Sequence, residues 1–469
     1  MNEIYALLGG TLYGLVIGII PSAGATTGLI AIFGFLGYFG DPYTVVVFCM
    51  AVVASSTTGD TYTGVLLGIP GANSSAATMV DGFPLALKGK ATYAISAAIT
   101  VSTFNGLFWG SLVFFLLPWY TKLILVFGIP ELWAFTVLAM ATVVFVSNKF
   151  WFRSIIALCI GIFLGLVGID PDTNIDRYTG GWDYLADGIQ LVVIGAGLFA
   201  IPEMIHGLMK KESTSPKSTD NVKQTWDGIK ASWEHKWLAA QGGFIGAFIG
   251  VLPGLGGGMA DWMAYGNAVA QTPNADPPMG KGNIRGVIGP EGSNNAQKAT
   301  SMIPTVLFGI PGASFAAILM AIFSMVGFEL GSYDLAQDQK FFDSMSYGFM
   351  WATLITGIIC FFATKYIAMI AAVPYKYYFP ILLIFVIWAC VQYTGGWEDY
   401  IILLIFSCLG LIMKKVRFSR PAMVIGFILA SRVEGLTLQI FSVYTIEKLL
   451  TRPIFLVLVG IIIALLVWD

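Results

Sequence analysis

Residues 99–117, 185–199, 401–411 with their flanks, and 454–468 are apolar runs almost free of charge. Each approaches the ~20 residues that a helix needs to cross a bilayer. Backbone N–H and C=O groups in hydrocarbon must bond within the protein, so only helices and closed barrels are admissible. Barrel strands would give segments of ~10 residues alternating in polarity, and none appear. The chain therefore reads as an all-α integral membrane protein. Roughly a dozen crossings are expected, with shorter re-entrant or discontinuous helices among them. Composition agrees: 57% of the residues are hydrophobic and only 11% charged, too few to cover a soluble domain of this size.

Several function classes drop out early. The formal net charge is −2, and no basic cluster with interleaved aromatics suggests a nucleic-acid partner. Cys49, Cys159, Cys360, Cys390 and Cys408 lie singly in apolar runs, which suits small packing residues better than a disulfide or metal framework. The two histidines, His206 and His235, flank the one long polar segment, so haem, zinc and histidine-based catalysis are not expected. The N-terminus has no Lys or Arg and no cleavage pattern, so it does not read as a signal peptide. Asp170-Pro-Asp172-Thr-Asn174 imitates the start of a calcium loop, but Ile175 and Gly181 stand where that loop needs Gly and Glu. No phosphate-binding Gly-x-x-x-x-Gly-Lys loop occurs, so ATP hydrolysis through one is excluded.

The polar stretch 210–236 divides the chain into a first membrane repeat, 1–209, and a second, 237–469. Its first part is a breaker-rich loop. Its second part puts Trp226, Ile229, Trp233 and Trp237 on one helical face, as in a helix lying among lipid headgroups, or as a leader into the next crossing. The lysines place this linker in the cytoplasm. The halves are similar in sequence. Gly14-Leu-Val-Ile-Gly18-Ile-Ile-Pro21 matches Gly246-Ala-Phe-Ile-Gly250-Val-Leu-Pro253, and Val65-Leu-Leu-Gly68-Ile-Pro70-Gly71-Ala72 matches Val306-Leu-Phe-Gly309-Ile-Pro311-Gly312-Ala313. Equivalent loops carry opposite charge. Lys88 and Lys90 stand against Glu329, Asp334, Asp338 and Asp343, with Lys340 the exception. Lys149 and Arg153 stand against Glu398 and Asp399. Asp170, Asp172 and Asp176 stand against Lys414, Lys415, Arg417 and Arg420. Positive charge marks the cytoplasmic side, so the halves are expected to be inverted in the membrane, as in many transporters.

Two clusters carry the candidate chemistry. One runs from Ser55-Ser-Thr57-Thr58-Gly-Asp60 to Gly68-Ile-Pro-Gly71-Ala-Asn73-Ser74-Ser75. The other runs from Gly289-Pro-Glu291-Gly-Ser293-Asn294-Asn295 to Gly309-Ile-Pro-Gly312-Ala-Ser314. Proline removes a donor and glycine permits left-handed backbone, so both clusters are read as helix breaks at membrane depth. Such breaks offer N–H ends to anions and C=O ends to cations. Gly71, Asn73, Ser74, Asn294, Asn295, Gly312, Ser314 and Lys298 are the candidate contacts for an anionic substrate. Ser55, Thr57, Thr58, Asp60, Glu291, Ser293 and Thr305 are candidates for a coupling cation, since sodium takes neutral and carboxylate oxygens. Intramembrane charges default to function, which adds Asp261 to the list. Arg177 falls in an outer loop and reads as structural or partner-facing. The breaks near Pro21 and Pro253 suit either a carboxylate cradle or close helix packing.

Gly289-Pro-Glu-Gly-Ser-Asn-Asn-Ala296, Leu307-Phe-Gly-Ile-Pro-Gly312, Asp81-Gly-Phe-Pro-Leu-Ala-Leu-Lys-Gly89 and Ile201-Pro-Glu203-Met204 together resemble the large membrane subunit of the tripartite tricarboxylate transporters. Here Gly289 and Gly292-Ser293 replace alanines of that family's pattern. The resemblance covers most of the chain. It implies a multi-pass protein of the bacterial inner membrane, a small four-helix membrane subunit and a periplasmic solute-binding protein as partners, and a tricarboxylate or related organic carboxylate as substrate. It also implies uptake driven by a cation gradient, Na+ or H+, with no other cofactor. Secondary active transport by alternating access, in rocking or elevator form, is therefore the expected function. A passive anion channel and an intramembrane enzyme acting on lipid-linked anions are the competing classes.

Overall fold

A computed structural model of the chain describes residues 3–69, 71–124, 127–145, 151–169, 175–209, 222–274, 276–371, 373–394 and 396–467. Pro70, Lys149, Asp170, Asp172, the stretch 210–221 and the side chain of Asn73 lie outside the described residues. The chain is helical almost throughout. The first stretch comprises α1 (Glu3–Ile19), α2 (Gly24–Leu36), α3 (Pro42–Leu67), α4 (Thr78–Leu87), α5 (Ala91–Ile124), α6 (Ile129–Phe145), α7 (Trp151–Gly165), α8 (Leu191–Gly195) and α9 (Ile201–Met209). A π turn over Ala196–Ala200 joins α8 to α9. Then come α10 (Val222–Glu234), α11 (Lys236–Val251), α12 (Gly256–Ala270), α13 (Arg285–Thr300), α14 (Met302–Phe308), α15 (Ser314–Met325) and α16 (Tyr333–Ala336). The last are α17 (Gln339–Ala371), α18 (Tyr375–Thr394), α19 (Glu398–Lys415), α20 (Arg420–Val443), α21 (Ile446–Leu450) and α22 (Pro453–Val467). Among the described residues the only sheet is the antiparallel pair Gly168–Ile169 with Asp176–Arg177.

Among the described residues five helical segments are long and apolar enough to cross a bilayer: Pro42–Leu67, Ala91–Leu116, Leu191–Met209, Gln339–Thr364 and Arg420–Val443. Eight shorter apolar helices of 10–17 residues accompany them. Among the described residues the apolar runs fall into these long helices and shorter pieces, because glycine and proline breaks divide them.

α3 is the hub. It is buried at every residue from Thr44 to Leu66, as a helix enclosed by protein on all sides must be. α1 lies along it through Gly10, Gly14 and Gly18. A Cβ on these glycines would come within 2.5 Å of Phe48 O, 2.2 Å of Ser55 Oγ and 2.1 Å of Ser56 O. α11 lies along α13 in the same manner. A Cβ on Gly242, Gly246 or Gly250 would come within 2.3 Å of Gly289 O, 2.2 Å of Ser293 O or 2.0 Å of Thr300 Oγ1. Small residues spaced four apart let two backbones touch, which replaces the hydrophobic driving force that lipid cannot supply. The glycines at 14, 18, 246 and 250 therefore serve packing. The cradle reading survives only for the turns that follow them.

The two polar clusters differ from the expected geometry. Ser55–Asp60 sits in the middle of uninterrupted α3, and Gly289–Asn295 lies within α13 with Pro290 inside it. The hydroxyls do not break α3, since they bond back to its own carbonyls: Ser55 to Ala51 at 2.6 Å and Thr57 to Val53 at 3.1 Å. The breaks fall later. α3 ends at Gly68 and α14 at Gly309, both left-handed, with φ of 64° and 58°. Their N–H groups reach back to Thr63 O and Pro304 O, the glycine-capped helix end that a following proline makes final. Gly-Ile-Pro-Gly is thus a stop signal used twice.

Two side-chain anchors fix the surrounding loops. Asp81 on α4 is wholly buried. Its Oδ1 accepts from Gly282 N and Asn283 N, both at 2.8 Å, and its Oδ2 from Gly280 N and the Tyr265 hydroxyl, both at 3.0 Å. It pins the approach to α13. α10 docks on α5 through Gly228, Ala231 and Ser232, and Ser232 Oγ donates to Ala97 O at 3.1 Å. That leaves Trp226 and Trp233 exposed, with Trp237 beyond them.

Candidate functional site

A cavity of about 470 Å³ opens where the breaks meet. One side is made of chain turns and helix beginnings: Ser22 to Thr27, Gly71, Ala72, Ser74, Gly254 to Gly258, and Ala313 to Phe315. α2, α12 and α15 all start on it. The residues before their first turns, Ala23, Leu255 and Ala313, make no side-chain cap bond. The positive ends of three helices of 12–15 residues, none capped by a side chain, therefore border one space. The tip at 71–74 is wedged between two of them. A Cβ on Gly24 would meet Ala72 Cβ at 2.9 Å, and one on Gly257 would meet Ser74 Cβ at 2.8 Å.

Lys298 and Gln297, from α13, complete this side. Lys298 is buried, with Nζ 3.3 Å from Val53 O, 3.5 Å from Ser56 Oγ and 5.7 Å from the centre of the Phe315 ring. Gln297 is 1% exposed, and neither its amide oxygen nor its amide nitrogen has a partner among the described residues. A buried amide unpaired at both ends costs about 1–3 kcal/mol per group unless something occupies the cavity beside it. The opposite side carries Phe199, Glu203, His206, Lys414, Arg420 and Pro421. Glu203 bonds Arg420 at 2.7 Å and Lys414 at 2.8 Å. Counting side chains, Lys298, Lys414 and Arg420 outnumber Glu203, so the lining attracts anions.

Of the residues singled out from sequence, Gly71, Ser74, Lys298 and Ser314 line the cavity. Asp60 lies immediately behind. Ser74 Oγ is 3.5 Å from its Oδ2, and a Cβ on Gly71 would sit 2.8 Å from its Oδ1. Gly312 and Thr305 are joined, Gly312 N donating to Thr305 Oγ1 at 3.1 Å, and Gly312 backs onto Ser301. The rest are placed elsewhere. Glu291 accepts from Thr61 at 3.0 Å and Asn294 at 3.1 Å, in a buried cluster between α13 and α3. Asn295 turns to α5, its Nδ2 3.1 Å from Ser102 Oγ. Ser293 lies under Gly246 and Ser55 under Gly14. Asp261 accepts from Ala77 N at 2.6 Å, tying α12 to the start of α4. Arg177 pairs with Glu434 at 2.7 Å, a structural tie between the short sheet and α20.

Sequence reasoning missed Gln297, and it used Lys414 and Arg420 only as markers of membrane side. Both basic residues border apolar helices and could have been nominated by the cost of charge there. For a hard cation, the fully buried oxygens of Thr58 Oγ1, Asp60 Oδ1 and Asn294 Oδ1 have no partner among the described residues. They are the donor type such an ion takes. Among the described residues no group of three or more His, Cys, Asp or Glu could hold a metal.

The sequence model of the tripartite tricarboxylate transporter TctA family matches residues 4–425. An Agrobacterium vitis protein described as "Uncharacterized 52.8 kDa protein in TAR-I ttuC' 3'region" is 27% identical over 425 residues, which cover 91% of this chain and 84% of that protein. A second from the same organism, "Uncharacterized protein in TAR-II ttuC' 3'region", is 27% identical over 190 residues, 40% of this chain and 78% of its own. No solved structure matches.

Proposed function

The chain belongs to the tripartite tricarboxylate transporter TctA family, a family of transport-system components, and from that premise we propose that it is the solute pathway of a secondary active importer of organic carboxylates. The observation that carries the reading is the convergence of the uncapped starts of α2, α12 and α15 on a cavity with Lys298 and the unpaired amide of Gln297. Aligned N–H groups, an ammonium and an amide donor together suit a carboxylate. Gly71, Ser74, Ser314 and Lys298 contact the solute, while Asn73, Asn294, Asn295 and Gly312 belong to the polar surroundings. The unpaired oxygens of Asp60, Thr58 and Asn294 serve Na+, or the Asp60 carboxylate serves H+.

Residues 1–209 and 237–469 act as inverted repeats joined by the linker 210–236. Support comes from equal register: eleven residues separate Asp60 from Gly71, and eleven separate Ser301 from Gly312, the pairs that touch behind each tip. Alternating access moves one such unit against the other, as an elevator or by rocking. The protein works in the bacterial inner membrane beside a small four-helix subunit, and a periplasmic binding protein delivers the solute.

Reconstitution with those partners tests this. Gln297→Leu and Lys298→Met are expected to raise KM or abolish uptake of labelled tricarboxylate. Wild-type rates in both variants would reject the cavity as the site. Uptake that persists after every cation gradient is collapsed would reject coupling. Counter-flow of labelled against unlabelled solute separates a carrier from a pore, and chemical conversion of the label would point to an enzyme.

A further inference from the structure

The far side of the cavity holds a carboxylate of the protein's own, and its surroundings are built to keep it there. Pro202 has no N–H, so Leu198 O cannot accept from the residue four positions on. The guanidinium of Arg420 donates to it, Nη1 to Leu198 O at 3.0 Å. The same guanidinium lies 5.5 Å from the centre of the Phe199 ring. Its Nη2 then meets Glu203 Oε1 at 2.7 Å, and Lys414 Nζ takes Glu203 Oε2 at 2.8 Å. Arg420 is thus held by a carbonyl, a ring face and a carboxylate, and cannot swing into the cavity without giving up all three. Two fixed cations share one carboxylate, so the trio retains a charge of +1.

We propose that Glu203 is a specificity-determining residue: it holds the Lys414–Arg420 end of the cavity at a single positive charge and so limits how much negative charge a bound carboxylate can carry. The inference rests on the cavity being the solute site. One carboxylate of the solute takes the helix starts near Lys298 and Gln297. The other end of the solute meets a site with room for one uncompensated negative charge. Each further charge on the solute is opposed by Glu203 itself.

The test is equilibrium binding of succinate and citrate to the purified full-length protein in detergent, by calorimetry. At pH 8 both probes are fully ionised. Glu203→Gln changes the trio from +1 to +2 and is expected to raise the citrate-to-succinate affinity ratio about tenfold, or ~1.4 kcal/mol. Lys414→Met leaves it neutral and should lower the ratio about tenfold. Glu203→Gln combined with Lys414→Met restores +1 and should return the ratio to near the wild-type value. Ratios that stay at the wild-type value in both single variants would overturn the proposal, as would a double variant that keeps the raised ratio. If Glu203→Gln fails to fold, the Lys414→Met ratio alone decides. Absence of saturable binding of either probe to the wild-type protein would instead defeat the cavity reading, and this inference with it.

Discussion

Replacing Asp81 by Asn removes one oxygen from a side chain that accepts four hydrogen bonds. In the wild type the carboxylate divides them equally, Gly282 N and Asn283 N on one oxygen, Gly280 N and the Tyr265 hydroxyl on the other. An asparagine keeps one pair. Its NH2 group then faces the donors of the other pair, so two bonds are lost and two donors oppose each other. Hydrogen bonds to a charged acceptor contribute about 1.5–3 kcal/mol each, which puts the local cost at about 3–5 kcal/mol. Little of this is recoverable from water, because the site is buried. At 1.4 kcal/mol per tenfold, amide exchange over residues 280–283 should accelerate by roughly two to four decades, or reach the unprotected limit. Hydrogen exchange read by mass spectrometry on the reconstituted protein measures this directly. Tyr265→Phe deletes one bond and should accelerate exchange by about one to two decades. Protection over 280–283 in Asp81→Asn that matches wild type would refute the assignment of Asp81 as the clamp on the start of α13.

Other substitutions probe the packing. Gly246→Ala places a methyl 2.2 Å from Ser293 O and should cost at least ~1–3 kcal/mol, read as a lower melting temperature. Gly266→Ala, on α12 with nothing within 4 Å, should be neutral or gain up to about 1 kcal/mol in the same assay. Gly228→Val forces a side chain onto Ser96 Oγ and Tyr93 O, 2.1 and 2.5 Å from its Cβ. It should release α10 from α5, seen as faster protease cleavage within Val222–Glu234. A double-mutant cycle on Arg177 and Glu434, whose side chains are 23% and 35% exposed, should give a coupling of about 1 kcal/mol or less.

How much of this was legible beforehand varies with the range of the interaction. The helical class followed from apolar run length, because the bilayer imposes internal hydrogen bonding on any spanning segment. The paired Gly-Ile-Pro-Gly stops were legible too, since their conformation is decided within a few residues: φ is positive at Gly68 and Gly309 whatever surrounds them. The family resemblance rested on the same local motifs. The location of the breaks relative to the polar runs was not legible. Ser55–Asp60 looks like a helix breaker, yet its hydroxyls are satisfied inside α3 and the helix continues.

Which polar residues face the cavity was settled by helix rotation and by contacts hundreds of residues apart. Asn295 and Lys298 lie less than one turn from each other on α13. The first turns to Ser102, the second to the cavity. Gln297 is inconspicuous in sequence and acquires meaning only when packing denies it any partner. Glu203 is 211 positions from Lys414 and 217 from Arg420, and only the tertiary fold makes the three one charge cluster. Sequence alone determined what each segment can be, because bilayer length and backbone dihedrals act locally. Tertiary structure decided what each segment touches, because burial and electrostatic pairing depend on neighbours the chain meets only after it has folded.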